Sequence, residues 1–197
     1  MNIFPIHDRS VAREEKELLL DQKGQAFWLT GLSGSGKSTI ALAVERKLID
    51  RKKMVILLDG DNVRNGLCKD LSFSEDDRRE NIRRISELVK IFVENGLVVL
   101  CTFISPLEKM REEAKSIIGE DDFHLVFVDA PIDLCIERDP KGLYAKAIRG
   151  EIDNFTGIGA PYEPPSHPDL VIDTAIHSLD ESSQVLFDYI LKFIPVK

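Results

Sequence analysis

Cysteine is scarce in this 197-residue chain: Cys68, Cys101 and Cys135 stand far apart, and no others occur. An odd, scattered set fits neither a disulfide framework nor a zinc site, so all three read as reduced structural thiols. Long hydrophobic runs are missing as well. No segment approaches the roughly 18 to 20 apolar residues that cross a bilayer, and the charged start of the chain lacks the apolar core of a secretory signal. No membrane association is expected, and a cytoplasmic location is. Basic residues are outnumbered, 26 Lys and Arg against 34 Asp and Glu, for a net charge of −8. Affinity for a phosphate backbone comes from clustered Lys and Arg, so no nucleic-acid partner is expected. Repeats and low-complexity tracts are absent, and no N-K-x-D tetrapeptide occurs, which removes the base-reading element of a switch GTPase.

What is present is a chain with 43% hydrophobic residues, enough to bury the core of one domain. Runs rich in β-branched and aromatic residues recur at Gln25–Thr30, Met54–Asp59, Leu97–Phe103, Phe123–Asp129 and Asp169–Asp173, with helical spacing between them. That alternation predicts an α/β fold: a five-stranded, mostly parallel sheet with helices on both faces. Val55–Leu58 and Leu125–Val128 are nearly continuously apolar, as strands covered on both faces must be. Residues 1–24 read as an N-terminal helical extension, with Ser10 as a cap, and residues 25–197 as the domain, closed by a helix over Leu179–Ile194. Residues 149–168 lack periodicity, and a loop of that length in a compact domain suits a lid.

The first strand runs straight into Gly31-Leu32-Ser33-Gly34-Ser35-Gly36-Lys37-Ser38-Thr39, a match to G-x-x-x-x-G-K-[ST] in its strand, loop, helix setting. Such glycines let backbone N–H groups turn inward around phosphates, at the positive end of the following helix. Lys37 is placed to reach the β and γ phosphates and the Ser38 hydroxyl to ligate Mg²⁺, while Thr39 suits packing or a secondary contact. ATP or GTP binding follows.

In an open α/β sheet the acceptor site lies at the carboxyl ends of the strands. The second strand ends there, in Asp59-Gly60-Asp61-Asn62-Val63-Arg64. Asp61 is positioned to accept a hydroxyl proton beside the γ-phosphate, the plain alternative being that Asp59 or Asp61 only caps the next helix. Arg64 would face the same cavity. Ser74 and Asp77 then open a long helix with capping-box spacing. Its apolar stripe, Ile82, Ile85, Val89 and Phe92, extends back onto Arg78 and Asn81, whereas Arg79 and Arg83 fall with Ser86 and Lys90 on the polar face. An inward arginine wants an anion; a salt bridge to an internal carboxylate is the alternative.

Taken together these residues resemble the adenylylsulfate kinases, which phosphorylate the 3′-hydroxyl of adenosine 5′-phosphosulfate (APS). The resemblance runs from about Phe27 to Thr174 through the phosphate loop, D-G-D-N-V-R, F-S-x-x-D-R-x-E-N-I-R-R-I, Phe103-Ile104-Ser105-Pro106, R-D-P-K-G-L-Y (Arg138 to Tyr144) and G-E-I-x-x-F-T-G-I (Gly150 to Ile158). It implies a P-loop kinase fold using ATP and Mg²⁺, an adenine of APS held between Phe73 and Phe155, and contacts to the phosphosulfate and ribose from Arg64, Arg78 and Asn81. It implies further substrate contacts from Ile104, Ser105 and Lys141, a lid over about residues 141–165, a homodimer, and work beside the ATP sulfurylase that makes APS. Ser105 matches a serine described in the family as a phosphoserine intermediate. Direct in-line attack by the 3′-hydroxyl needs no such stop, and Ser105 also reads as a helix N-cap before Pro106.

Two departures stand out: Leu107-Glu108-Lys109-Met110-Arg111 replaces the family's aromatic and arginine-rich turn, and Gly159 replaces a usual acidic residue. Two rival functions share the phosphate loop, a kinase for gluconate, shikimate or a nucleoside monophosphate, and a catalytically silent nucleotide-binding module.

Overall fold

The computed structural model describes residues 9–196; residues 1–8 of the N-terminal extension and residue 197 lie outside the described residues. Five strands, β1 (Gln25–Thr30), β2 (Val55–Asp59), β3 (Val98–Thr102), β4 (Phe123–Asp129) and β5 (Leu170–Asp173), form one sheet in the order β2-β3-β1-β4-β5. Every pairing is parallel, so the expected mostly parallel sheet is wholly so.

Side-chain parity along each strand builds two layers. Ala26 and Trp28 of β1 pack with α4 (Glu75–Val93) and α5 (Glu108–Ile118), through Ile82, Ile85, Val89, Met110 and Ala114. Phe27 and Leu29 face the other way, onto α2 (Lys37–Asp50) and α8 (Leu179–Ile190), through Ile40, Val44, Leu48, Leu186 and Ile190. Burial on both faces is why β1 reads as an unbroken apolar run. β2 departs from that expectation: Ile56, Leu57 and Leu58 are only half-buried, because β2 is an edge strand with a neighbour on one side alone.

Local signals explain most helix boundaries, with corrections. The Ser74 side chain caps α4 by accepting from Asp77 N, but the Asp77 carboxylate turns to Ser72 instead, so only half of a capping box forms. Ser86 is not on the polar face; it is fully buried and returns its hydroxyl to Ile82 O at 2.8 Å. α1 (Arg13–Leu20) is capped at Ala12, not Ser10, with no side-chain cap bond. It packs on the sheet's amino end, where Arg13 pairs with Asp122 and reaches Gly24 O. α8 stops at Ile190 and Ile194 is buried beyond it, in a turn rather than the predicted helix. The three cysteines are free and buried, as their spacing suggested.

α3 (Gly60–Asn65) follows β2, while α6 (Ile132–Arg138) and α7 (Leu143–Ile148) follow β4. α7 thus occupies the start of the expected lid span, and regular structure over 149–168 is limited to turns and one bridge, Thr156 to Ala160.

Candidate active site

A cleft of about 1060 Å³ opens at the carboxyl ends of β1, β2 and β3. Its floor is the loop between β1 and α2. Gly31 must be glycine: its φ is +151°, and a Cβ there would lie 2.4 Å from Val128 O. Gly36, at φ +102°, occupies the N-cap position of α2 and supplies no side-chain cap, so the first amides of that helix stay open to a ligand. Lys37 folds back into this cradle, donating to Gly31 O (2.9 Å), Leu32 O (2.7 Å) and Ser35 Oγ (3.4 Å). Burial pushes its ammonium pKa down to about 8. Ser33, Gly34, Gly36, Lys37, Ser38 and Thr39 line the cleft. Leu32 instead packs among Ile132, Cys135 and Tyr144 beneath the loop, and Ser35 is fully buried.

Asp59 carries more than the sequence reading gave it. It caps α3 by accepting from Asp61 N at 3.1 Å, and its second oxygen accepts from Ser38 Oγ (2.6 Å) and Thr102 Oγ1 (2.7 Å). Burial pushes the carboxyl up, but those hydrogen bonds outweigh it and hold Asp59 below its usual range. Only strand register reveals the trio: Asp59 lies opposite Thr102 in the β2–β3 pairing. Asp61 is therefore not the cap; it is exposed at the cleft and its carboxylate pairs with Lys141.

On the far wall, Arg64 donates to Ser72 O (2.8 Å) and lies 4.4 Å above the Phe73 ring. Arg78 donates to Phe73 O (2.9 Å), Thr156 Oγ1 (2.7 Å) and Asn154 O (2.7 Å). Its partners are neutral, so the internal salt bridge weighed for it does not form. Burial and the positive charge of Arg64 both lower its pKa, as expected for a half-buried guanidinium beside a second cation. Asn81 is 4% exposed, lines the cleft and leaves Oδ1 unsatisfied. Phe73 is 61% exposed, while Phe155 packs edge-on to Tyr144 at 4.9 Å. The two phenylalanines line one cleft, with no ring contact between them among the described residues. Arg79 and Arg83 lie on the outer surface, paired with Glu113 and Glu80.

Ser105 is 3% exposed, and its hydroxyl is already spoken for: it accepts from Trp28 Nε1 (3.1 Å) and donates to Thr30 Oγ1 (3.0 Å), which in turn donates to Ile104 O (2.7 Å). Its φ of +37° and the start of α5 at Glu108, capped by Leu107, rule out the helix N-cap reading. Ile104 and Ser105 line the cleft. The opposite arm is walled by Arg138, which donates to Thr174 Oγ1 (3.0 Å) and Thr174 O (2.6 Å), and by His177 and Leu179. None of these was named as a site residue from sequence, because Arg138 and the stretch Thr174–Leu179 meet only in the fold. The loop thus has a basic, aromatic wall on one side and the wall of Arg138, Thr174, His177 and Leu179 on the other.

A family model described as adenylylsulphate kinase matches residues 23–173. An adenylyl-sulfate kinase of Bacteroides fragilis is 55% identical over 190 residues, 96% of this chain and 94% of that one. That of Bacteroides thetaiotaomicron is 54% identical over 196 residues, 100% of this chain and 98% of its relative. Among solved structures, the Mycobacterium tuberculosis APS kinase CysC in complex with AMPPNP and APS is 47% identical and superposes with a TM-score of 0.83, covering 86% of this chain and 98% of that one. A gluconokinase of Sinorhizobium meliloti, 16% identical with a TM-score of 0.55 over 86% of this chain and 93% of its own, shares the fold alone.

Proposed function

The chain belongs to the adenylylsulphate kinase family, and from that premise we propose that its cleft moves the γ-phosphoryl group of ATP onto the 3′-hydroxyl of APS, releasing ADP and 3′-phosphoadenylylsulfate. It is a phosphotransferase acting on a hydroxyl group. The observation that carries the acceptor is the pair Arg64 and Arg78, two guanidiniums that form no salt bridge among the described residues and line one cleft with the unsatisfied Asn81, Phe73 and Phe155. A phosphosulfate supplies the missing anion, and an adenine supplies the flat apolar face. Stacking of that kind is worth about 1–3 kcal/mol per base.

The remaining residues divide the work. The open amides of α2 and Lys37 bind the β and γ phosphates, with Lys37 exchanging its three loop acceptors for phosphate oxygens. The arm of Arg138, Thr174, His177 and Leu179 takes the donor nucleoside. Asp61 accepts or orients the proton of the attacking hydroxyl. Lys141 now neutralises Asp61; an anionic substrate would draw that ammonium away and free the carboxylate. The span of about 141–165 covers both substrates and keeps out the water that would otherwise take the phosphoryl group. Ser105 positions the acceptor wall through its buried hydrogen bonds and carries no phosphoryl group.

Mg²⁺ fits this donor set. No group of three His, Cys, Asp or Glu among the described residues could cage a metal, and Mg²⁺ ordinarily keeps its waters and takes one or two protein oxygens together with phosphates. Ser38 would hold it, oriented by Asp59. When bound it supplies neutralisation of the charge that develops on the phosphates.

Mixing protein, Mg-ATP and each candidate acceptor tests the reading. ADP release and a phosphorylated product should depend on APS; turnover with gluconate, shikimate or a nucleoside monophosphate, or nucleotide binding with no turnover, would overturn it. Three further expectations complete the proposal: a homodimer, checked by sedimentation; a cytoplasmic location, checked by fractionation; and functional association with ATP sulfurylase, checked by coupled flux from sulfate. No described helix is long and apolar enough to cross a membrane.

A further inference from the structure

Arg111 is not among the residues that line the cleft, yet it is the most deeply buried charged side chain among the described residues, 1% exposed. It lies on the inner face of α5 beside Met110 and Ala114, where an aliphatic residue would satisfy the core. A guanidinium belongs there only if its planar fork is used. Nη1 donates to the carbonyl of Ser105 at 2.7 Å, and Nη2 donates to the carbonyl of Glu163 at 2.8 Å and pairs with the Glu108 carboxylate. Nε is left without a partner, so the side chain is placed for those two carbonyls and not for its own complete satisfaction.

The two carbonyls belong to segments 58 residues apart in the chain (163 − 105). One is the loop after β3 that lines the acceptor arm; the other is the root of the segment that covers it. Further bonds join the same pair: Glu163 N donates to Pro106 O (2.8 Å), and Glu108 N donates to Glu163 Oε2 (2.7 Å). The Tyr162 hydroxyl lies 3.3 Å from Thr30 Oγ1, the acceptor of the Ser105 hydroxyl. Ser105 itself holds φ +37°, a backbone state that a side chain with Cβ adopts only when its surroundings impose it.

From this geometry we infer that Arg111 is a positioning residue for the acceptor: it clamps the loop Ile104–Pro106 to the covering segment at Glu163, so that the acceptor wall and its cover behave as one body. The inference rests on the reading that this arm takes APS. Its placement sets APS affinity and alignment and leaves the donor arm alone.

The test is steady-state kinetics with Mg-ATP and APS, with ATP affinity measured separately by titration. Arg111→Met should raise KM for APS about tenfold while ATP binding stays within about twofold, the loss of charged-donor hydrogen bonds being confined to one arm. Arg111→Lys should recover part of the APS affinity, because one ammonium reaches either carbonyl but cannot fork to both. KM does not depend on what fraction of the protein is folded, so a purely structural role would lower yield and Tm and leave KM for APS unchanged in the folded fraction. That outcome overturns the inference. Should Arg111→Met fail to fold, Arg111→Lys carries the test: it keeps the buried charge but cannot fork to both carbonyls, so KM for APS should rise about threefold, and an unchanged value counts equally against the clamp. Absence of APS-dependent ADP release by the wild-type chain would instead overturn the proposed function.

Discussion

Lys37 offers a quantitative test of how the phosphate loop works. Its ammonium is buried against two carbonyls and a hydroxyl, and burial lowers its pKa from 10.5 to about 8. A shift of that size means the empty loop holds the charged form at a cost of about 3 kcal/mol, present below pH 8 and relieved as the side chain deprotonates. Phosphate oxygens reverse the balance by bringing negative charge within contact distance, which returns the pKa toward its ordinary value. ATP binding must then take up protons wherever the free enzyme is partly neutral: about half a proton at pH 8 and about nine-tenths at pH 9. Affinity should fall by up to about tenfold per pH unit above 8. Isothermal titration calorimetry at pH 8 to 9, in buffers of different ionisation enthalpy, reads the uptake directly, and the γ-phosphate is already ionised there. Lys37→Met should bind more weakly and take up no protons. Zero uptake by the wild type at pH 8.5, or undiminished uptake by the variant, would refute the assignment.

Asp61→Asn should keep ATP affinity within about twofold and lose about 10²–10⁴ in kcat, the usual range for a lost proton acceptor; near-normal turnover removes Asp61 from the chemistry. Arg78→Ala should raise KM for APS by about 10-fold or more, through a lost charged-donor contact, with KM for ATP unchanged, and an unaltered KM for APS would mean its guanidinium serves only Asn154 and Thr156. Ser105→Ala should cost about 1–3 kcal/mol of stability by stranding Trp28 Nε1, measured by urea melts, while retaining turnover. Complete loss of turnover in a folded Ser105→Ala protein would favour a phosphoserine step.

Residue order by itself determined the class of fold and the glycine-rich loop between the first strand and its helix. β1 and β4 are seen at their predicted bounds, and the glycines of 31–36 all hold the positive φ that lets the loop turn its amides inward, Gly31 also because a Cβ there would meet Val128 O. These features are legible because they are local: strand periodicity, a φ of +102° at Gly36 and a helix N-terminus all lie within a few residues of one another. The inward direction of Arg78 and Asn81 was legible for the same reason, since both continue one helical stripe. Ser86 shows the limit: it is fully buried although it lies beside the apolar stripe, because a stripe's edge is set by what packs against it. Only the tertiary structure could decide the long-range partnerships. Asp59 meets Thr102 through strand register, Lys141 meets Asp61 across the cleft, and Arg111 joins Ser105 to Glu163. Each pair is separated by tens of residues, and a contact across that distance is made by how layers stack, which no spacing in the chain encodes.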